Sequence, residues 1–388
     1  MPTNGNDIVY SPVSGPLDLM AGADTFYWDP AHGSATVSGG SGGENFDDNI
    51  YGDKSGGDVL RLVGDQGVFL RLSTSEDGTI KAGASVLTFD GFERLHLGNG
   101  DDTVRMGAAV SEGRLTTLFT YGGNDNIVGS SGADFIDPGS GNDIVRAGDG
   151  SDHVQASRGN DTIYGGDGED NIRWGQGTAE GASGTGGLAY GNDWLYGGAG
   201  QDVVNLWAHD WDGTGITVTI GRVFADSSMQ GTGSLNFTGV LEQAYFIGFE
   251  QVWSHQGNDL LIATNADIKG DFGVRVNLRW GDDRLLGSVG NDTLEGGDGR
   301  DTITGGAGDD LISAANEYYN PNAQGDGDVD TLIFRAGDGH DTVLAFDVGV
   351  DVLDLGGRAY TASQTGQGTL LSFGSGDTIL LSNVFDFA

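Results

Sequence analysis

The sequence contains no cysteine, so no disulfide staples the fold, and the zinc and thiol chemistries that depend on cysteine are excluded. The same absence leaves the redox compartment open. Basic residues are scarce: 18 Lys and Arg face 57 Asp and Glu, a net charge of -39. That sign argues against nucleic acid as a partner, because phosphates would be repelled. Long apolar runs are missing too. None approaches the roughly 18 residues that a spanning helix needs. The first residues, MPTNGNDIVYSPVSG, lack the basic and apolar regions of a cleaved signal peptide. The chain is therefore expected to have neither a membrane span nor a cleaved leader.

What is abundant is glycine, with 72 residues, and acid. A chain so charged repels itself and stays open unless something cationic neutralises it. The acids are not blocked together, however; they recur singly or in pairs between short apolar triplets. From Tyr121, the run YGGNDNIVGSSGADFIDPGSGNDIVRAGDGSDHVQASRGNDTIYGGDGEDNIRWG keeps Asp125, Asp134, Asp143, Asp152, Asp161 and Asp170 nine residues apart. Two positions after each stands Ile127, Ile136, Val145, Val154, Ile163 or Ile172. A second series runs through Asp283, Asp292, Asp301 and Asp310, followed by Leu285, Leu294, Ile303 and Ile312. Asp193 with Asp202 forms a shorter piece, and Asp7, Asp24, Asp102, Asp259 and Asp341 are single matches.

Nine residues hold a short strand and a turn, not a strand, a crossover helix and a return. Two such units predict one coil of an all-β parallel solenoid, with the aliphatic pointing inward and the aspartate outward. Glycine allows positive φ and close approach of neighbouring backbones. Stacked turns then offer carboxylate and carbonyl oxygens to a hard cation, which describes Ca²⁺ better than Mg²⁺ or zinc.

The units GGDGEDNIR (165–173), GGDGRDTIT (296–304) and GGAGDDLIS (305–313) resemble the nonapeptide G-G-x-G-x-D-x-U-x of the RTX proteins. The resemblance implies a right-handed parallel β-roll with multiple Ca²⁺ ions. It implies that the repeat aspartates, including Asp193, Asp202 and Asp341, are side-chain ligands and that the repeat glycines give carbonyls. Ser131 in SSGADFI, and Ser157 with Arg158 in ASRGNDTI, depart from the pattern, so those turns are expected to bind weakly. AGDGHDTVLAFDVGVDVLDLGG and the segment after it are similar to an RTX C-terminal cap that carries an uncleaved type I secretion signal. A Gram-negative source, the type I secretion machinery as a partner, extracellular placement and a monomer follow as expectations from the resemblance.

Five segments of one continuous solenoid are expected. Residues 1–105 hold N-terminal repeats and a first wide-coil insertion, and 106–175 a regular calcium roll. Residues 176–280 hold a Trp/His/Arg-bearing insertion with wide coils, 281–345 a second calcium roll, and 346–388 the cap. Two stretches, Gly175–Gly191 and Ala315–Asp328, read as surface loops.

No G-x-S-x-G elbow and no H-E-x-x-H helix appears, so a lipase or zinc protease is not indicated. Six of the seven tryptophans, Trp174, Trp194, Trp207, Trp211, Trp253 and Trp280, fall in mid-chain beside Arg173, His209, His255 and Arg279. Aromatic platforms beside cations suit an acidic polysaccharide, since sugar faces stack on rings and Arg pairs with carboxylate or sulfate. His209, His255 or Tyr190 would then be candidates to abstract a sugar C5 proton, with Arg173, Arg279 or calcium neutralising the carboxylate, as in a uronate lyase or C5-epimerase. Alternatively, the tryptophans merely cover the insertion where the core widens. A glycanase pair, with Asp210 and Asp212 as the first to inspect, cannot be tested among so many acids. Ice binding asks for flat threonine rows, and the row Asn126, Phe135, Ile144, His153, Thr162, Asn171 is too mixed. Two readings follow: a calcium-folded secreted roll that binds extracellular glycan, or a polysaccharide-active enzyme. Convergence of Trp207, His209, Trp253, His255, Arg279 and Trp280 in one groove would favour the enzyme.

Overall fold

The computed structural model describes residues 2, 6–13, 15–40, 57–74, 76–107, 116–175, 190–207, 215–237, 240–315, 325–385 and 387. Among them the regular elements are β-strands, apart from one 3₁₀ turn at Pro30–His32. No described helix is long and apolar enough to cross a membrane. The chain forms two compact units, Met1–Asp202 and Val203–Ala388.

In the first unit, the strands at Asn126–Val128, Ile144–Asp149, Thr162–Asp167 and Asn192–Ala199 pair in parallel, each with its counterpart one coil on. Thr116–Phe119, Asp134–Asp137, His153–Ala156 and Asn171–Gly175 do the same in a second sheet. A coil is thus two nonapeptides. Register is enforced by the aliphatic ladder: Ile127, Val145, Ile163 and Leu195 stack in one column, Ile136, Val154 and Ile172 in the other, all fully buried. A slip of one residue would expose every one of them. The second unit repeats the plan with Leu261, Leu285, Ile303 and Leu332 facing Val276, Leu294, Ile312 and Val343.

The insertions differ from the wide coils expected. Phe69–Leu72, Gly78–Ala82 and Ser85–Asp90 form an antiparallel meander, as do Thr217–Val223, Met229–Phe237 and Val240–Phe249. The reason is local. Gly83 and Ser227 take positive φ, 58° and 74°, so the chain doubles back in a tight turn before a coil can close. At the C-terminus, Gly368–Phe373 and Thr378–Ser382 pair antiparallel, and the latter lies parallel on His340–Leu344. This hairpin thus occupies the free edge of His340–Leu344 in one of the two sheets.

Candidate functional site

The repeat aspartates do not point outward. Asp125, Asp134, Asp143, Asp152, Asp161, Asp170, Asp193 and Asp202 are buried, as are Asp283, Asp292, Asp301, Asp310 and Asp341. The cause is a ladder that sequence spacing alone does not show: each aspartate's amide donates to Oδ1 of the aspartate one coil later. Asp125 bonds Asp143 at 2.7 Å, Asp143 bonds Asp161 at 2.9 Å, and Asp161 bonds Asp193 at 2.7 Å. The other side runs from Asp134 through Asp152 and Asp170 to Asp202 at 2.8 to 2.9 Å. In the second unit Asp259, Asp283, Asp301, Asp330 and Asp351 form one ladder. Asp292, Asp310 and Asp341 form its partner.

Sequence reasoning missed Asp58, Glu93, Asp330 and Asp351. Loops and hairpins stretch the coil from 18 residues, to 35 at Asp58 for example, so the nine-residue count fails there. The surviving signal is an acid two positions before a core aliphatic, as in Asp58 before Leu60 or Asp330 before Leu332.

Oδ1 is committed to the ladder, but Oδ2 is not. In Asp102, Asp143, Asp152, Asp161, Asp170, Asp283, Asp301 and Asp310 that oxygen is buried without a hydrogen-bond partner. In Asp170, Asp301 and Asp310 it faces a cradle where a side chain is missing, at Gly165, Gly296 and Gly305. A β-carbon built on Gly165 would lie 2.3 Å from Asp170 Oδ2 and 2.6 Å from the Gly197 carbonyl oxygen. On Gly287 it would lie 2.4 Å from Asp292 Oδ2 and 2.0 Å from the Gly305 carbonyl oxygen. Carboxylate and carbonyl oxygens from successive coils thus converge on one small volume that glycine keeps clear. No group of three or more His, Cys, Asp or Glu side chains gathers among the described residues. Each site therefore has to be completed by main-chain carbonyls. All-oxygen donors of mixed charge fit calcium and exclude soft metals.

Electrostatics leads to the same requirement. Burial, reinforced by like charges on adjacent coils, pushes Asp143, Asp152 and Asp161 up to about 8 and Asp283 up to about 9. Stacked carboxylates in a dry column cannot all ionise unless a cation offsets them. Calcium would supply that charge.

In two departing turns a serine bonds the repeat carboxylate. Ser130 donates its amide to Asp134 Oδ2 at 2.7 Å. Ser288 donates its amide to Asp292 Oδ2 and its hydroxyl to Oδ1 at 2.6 Å. Ser130, not Ser131, occupies the glycine position, since it aligns with Gly148 one coil on. With these bonds Asp292 rises only to about 6. Ser157, the other departure, turns its hydroxyl to Asp137 at 3.1 Å and leaves Asp161 alone.

The aromatic candidates separate into three groups. Trp207, Trp253, His255, Arg279 and Trp280 come together in the second unit, all half-buried. The Trp207 and His255 rings stack at 4.0 Å, and Trp280 meets His255 edge-on at 4.9 Å. The Arg279 guanidinium lies 4.6 Å from the centre of Trp253 and 5.9 Å from that of Trp280. The register that pairs Asn205 with Trp253 and Trp253 with Asn277 sets these ends side by side. Trp174 and Tyr190 instead meet edge to face at 6.1 Å in the first unit and are buried, together with Arg173. An enclosed Trp174 offers no face to a sugar, because neighbouring side chains already cover it. Trp194 lies on the first unit's other sheet, half exposed. His209 and Trp211, with Asp210 and Asp212, lie outside the described residues.

The RTX calcium-binding nonapeptide repeat matches the chain in four copies, at residues 116–145, 146–178, 190–208 and 279–312. These stretches contain every sequence-predicted calcium aspartate except Asp341. No curated protein matches the chain. With its in-register nonapeptides, parallel coils and glycine-lined oxygen cradles, the chain carries RTX calcium-binding repeats, which form a β-roll that binds several calcium ions.

Proposed function

We propose that this chain is a secreted calcium roll that folds outside the cell and holds an acidic polysaccharide. The repeat aspartates would hold the ions, and the type I machinery would export the chain unfolded, before millimolar calcium neutralises it. The observation that carries the glycan reading is the cluster of Trp207, His255 and Trp280 rings with Arg279 laid over Trp253. Rings supply faces for sugar stacking, and a guanidinium supplies a fork for carboxylate or sulfate. Acidic glycans are favoured over neutral ones because a chain of such negative charge would bind an anion only where a local cation is fixed.

The test is affinity electrophoresis or calorimetry of the calcium-loaded chain against polyuronates, sulfated glycans and a neutral glucan. Binding to one acidic class, weakened about tenfold or more in Trp280→Ala and in Arg279→Ala, is the expected result. Equal retention by neutral glucan, or no loss in either variant, would overturn it.

A second reading, that the glycan is also chemically altered, is supported by the convergence of five of the six residues named from sequence. His255, however, has one ring face against Trp207 and meets Trp280 as well, which suits a binding platform better than a proton-abstracting base.

A further inference from the structure

The first unit carries another set of chemistry-bearing side chains that no repeat rule requires. Register places Tyr10, Tyr27, Arg61, His96 and Phe119 in one row across successive parallel strands. Their chain neighbours Leu60, Leu95 and Leu118 are core residues, so the row lies on the outer face. Tyr10 and Tyr27 stack at 4.6 Å, and His96 lies against Phe119 at the same separation.

Tyr121 is brought onto this row by an unusual turn. Its φ is 65°, whereas one coil later the same address is held by Gly139. Glycine is what such a turn asks for, yet a tyrosine is kept there. Its hydroxyl oxygen sits 2.6 Å from His96 Nδ1 and accepts a hydrogen bond from Arg61 Nη1 at 3.3 Å. His96 is buried and neutral: burial and the Arg61 and Arg94 guanidiniums push it down to about 3. Arg61 can only donate, and the phenol oxygen, with two lone pairs, has room to accept from Arg61 and from a protonated His96 Nδ1 together, so both side chains can hold the ionised phenol. Tyr121, Arg61 and Arg94 remain half exposed.

We infer that Tyr121 transfers the C5 proton of a 4-linked uronate whose carboxylate is held by Arg61 and Arg94. The inference rests on the acidic-polysaccharide reading above, but not on the Trp207 cluster being the catalytic face. Once the phenol proton has gone to solvent, Arg61 stabilises the charge left on the oxygen. That oxygen takes the C5 hydrogen as a proton: the C–H bond breaks, an O–H bond forms, and the electron pair enters the carboxylate. The guanidiniums offset the added charge. If the pair then forms a C4–C5 double bond, the C4 oxygen leaves and takes the proton back from Tyr121, giving two chain ends. If a solvent proton returns to the opposite face of C5, the product is the epimer. Neither course needs an oxidant, a reductant or a second substrate. His96 is a positioning residue, holding the phenol through one hydrogen bond.

The test uses the full calcium-loaded chain and 4-linked polyuronates in D₂O, reading deuterium at C5 by NMR and the ultraviolet absorbance of unsaturated uronates. Either signal is expected from the wild type, falling by about 10²–10⁴-fold in Tyr121→Phe. Arg61→Gln is expected to raise KM, and His96→Gln to lower kcat with KM little changed. Tyr121→Gly, which relieves the backbone, should fold and be inactive, so that loss of activity cannot be ascribed to unfolding. Neither signal from the wild type on any 4-linked polyuronate, or an undiminished rate in Tyr121→Phe, would overturn the inference. Polyuronate binding without either signal would overturn it alone, whereas loss of binding too would remove the glycan reading as well.

Discussion

The main-chain amide of Asp143 donates to Oδ1 of Asp161 at 2.9 Å, across one full coil of 18 residues. One carboxylate oxygen therefore ties coil to coil, while the other is buried without a hydrogen-bond partner. The ladder depends on burying like charges in a column, and the predictions below follow from how that charge is neutralised.

Calcium removal should unfold the roll at neutral pH. Each ion bound only by the folded state adds RT ln(1 + [L]/Kd), about 2.7 kcal/mol at a hundredfold excess over Kd, and several sites act together. In excess EGTA the far-UV circular dichroism should lose its β signal and the hydrodynamic radius should grow. Calcium should reverse both changes and magnesium should not. A spectrum indifferent to EGTA would contradict the neutralisation argument.

Acid should partly replace calcium. Asp102, Asp152, Asp301 and Asp310 are raised to about 8, Asp170 and Asp330 to about 7, chiefly by burial. A carboxyl whose folded pKa exceeds its unfolded value binds more protons when folded. Its contribution is thus fully present below about 4 and is lost as pH rises through 7 to 9. The metal-free chain, unfolded at pH 8, should regain β structure and a melting transition at pH 5, with the order of stability reversed in saturating calcium, whose ligands must be ionised. Melting curves at the two pH values, with and without calcium, decide it.

The serine-held turn should be the weaker calcium site. Asp301→Asn keeps an oxygen for the Asp283 amide but removes the charged oxygen facing the Gly296 cradle, and should abolish a site. Asp292→Asn should cost less calcium, because Ser288 already bonds both carboxylate oxygens. Ser288→Gly should tighten binding. Isothermal titration of the three variants would show this order or refute it.

Close approach of coils makes certain glycines irreplaceable. At Gly168, φ is 142° and a β-carbon would stand 1.7 Å from the Gly150 carbonyl oxygen. Gly168→Ala should destabilise the calcium-loaded chain by at least about 3 kcal/mol, and Ile163→Ala, in the core column, by about 2–5 kcal/mol. Gly64, where φ is 117° and nothing stands within 4 Å, should show only the smaller cost of the backbone conformation. Denaturant unfolding at fixed calcium separates the three.

The coil period, the core columns and the aspartate series were legible because a solenoid repeats one local solution: D-x-U after a glycine turn recurs wherever the chain closes a coil. Asp7, Asp24 and Asp102, seen singly, join the same ladders. Asp58 and Asp330 escaped because loops of unequal length displaced them without changing what they bond. The meanders at 69–90 and 217–249 show the alternation of any β segment, and alternation does not say whether the next strand returns antiparallel or closes a coil.

The amino-acid sequence by itself determined the period, the inward aliphatic and the need for a hard cation, since each is a property of nine residues and their charge. Tertiary structure alone decided the rest. It turned the aspartates inward, where stacking on the next coil supplies an amide for Oδ1. It set Trp207, His255 and Trp280 together, and it brought Arg61 and His96 to the hydroxyl of Tyr121, 60 and 25 residues away. Such meetings depend on how many residues each coil consumes before the chain returns, a quantity fixed only when the coils stack.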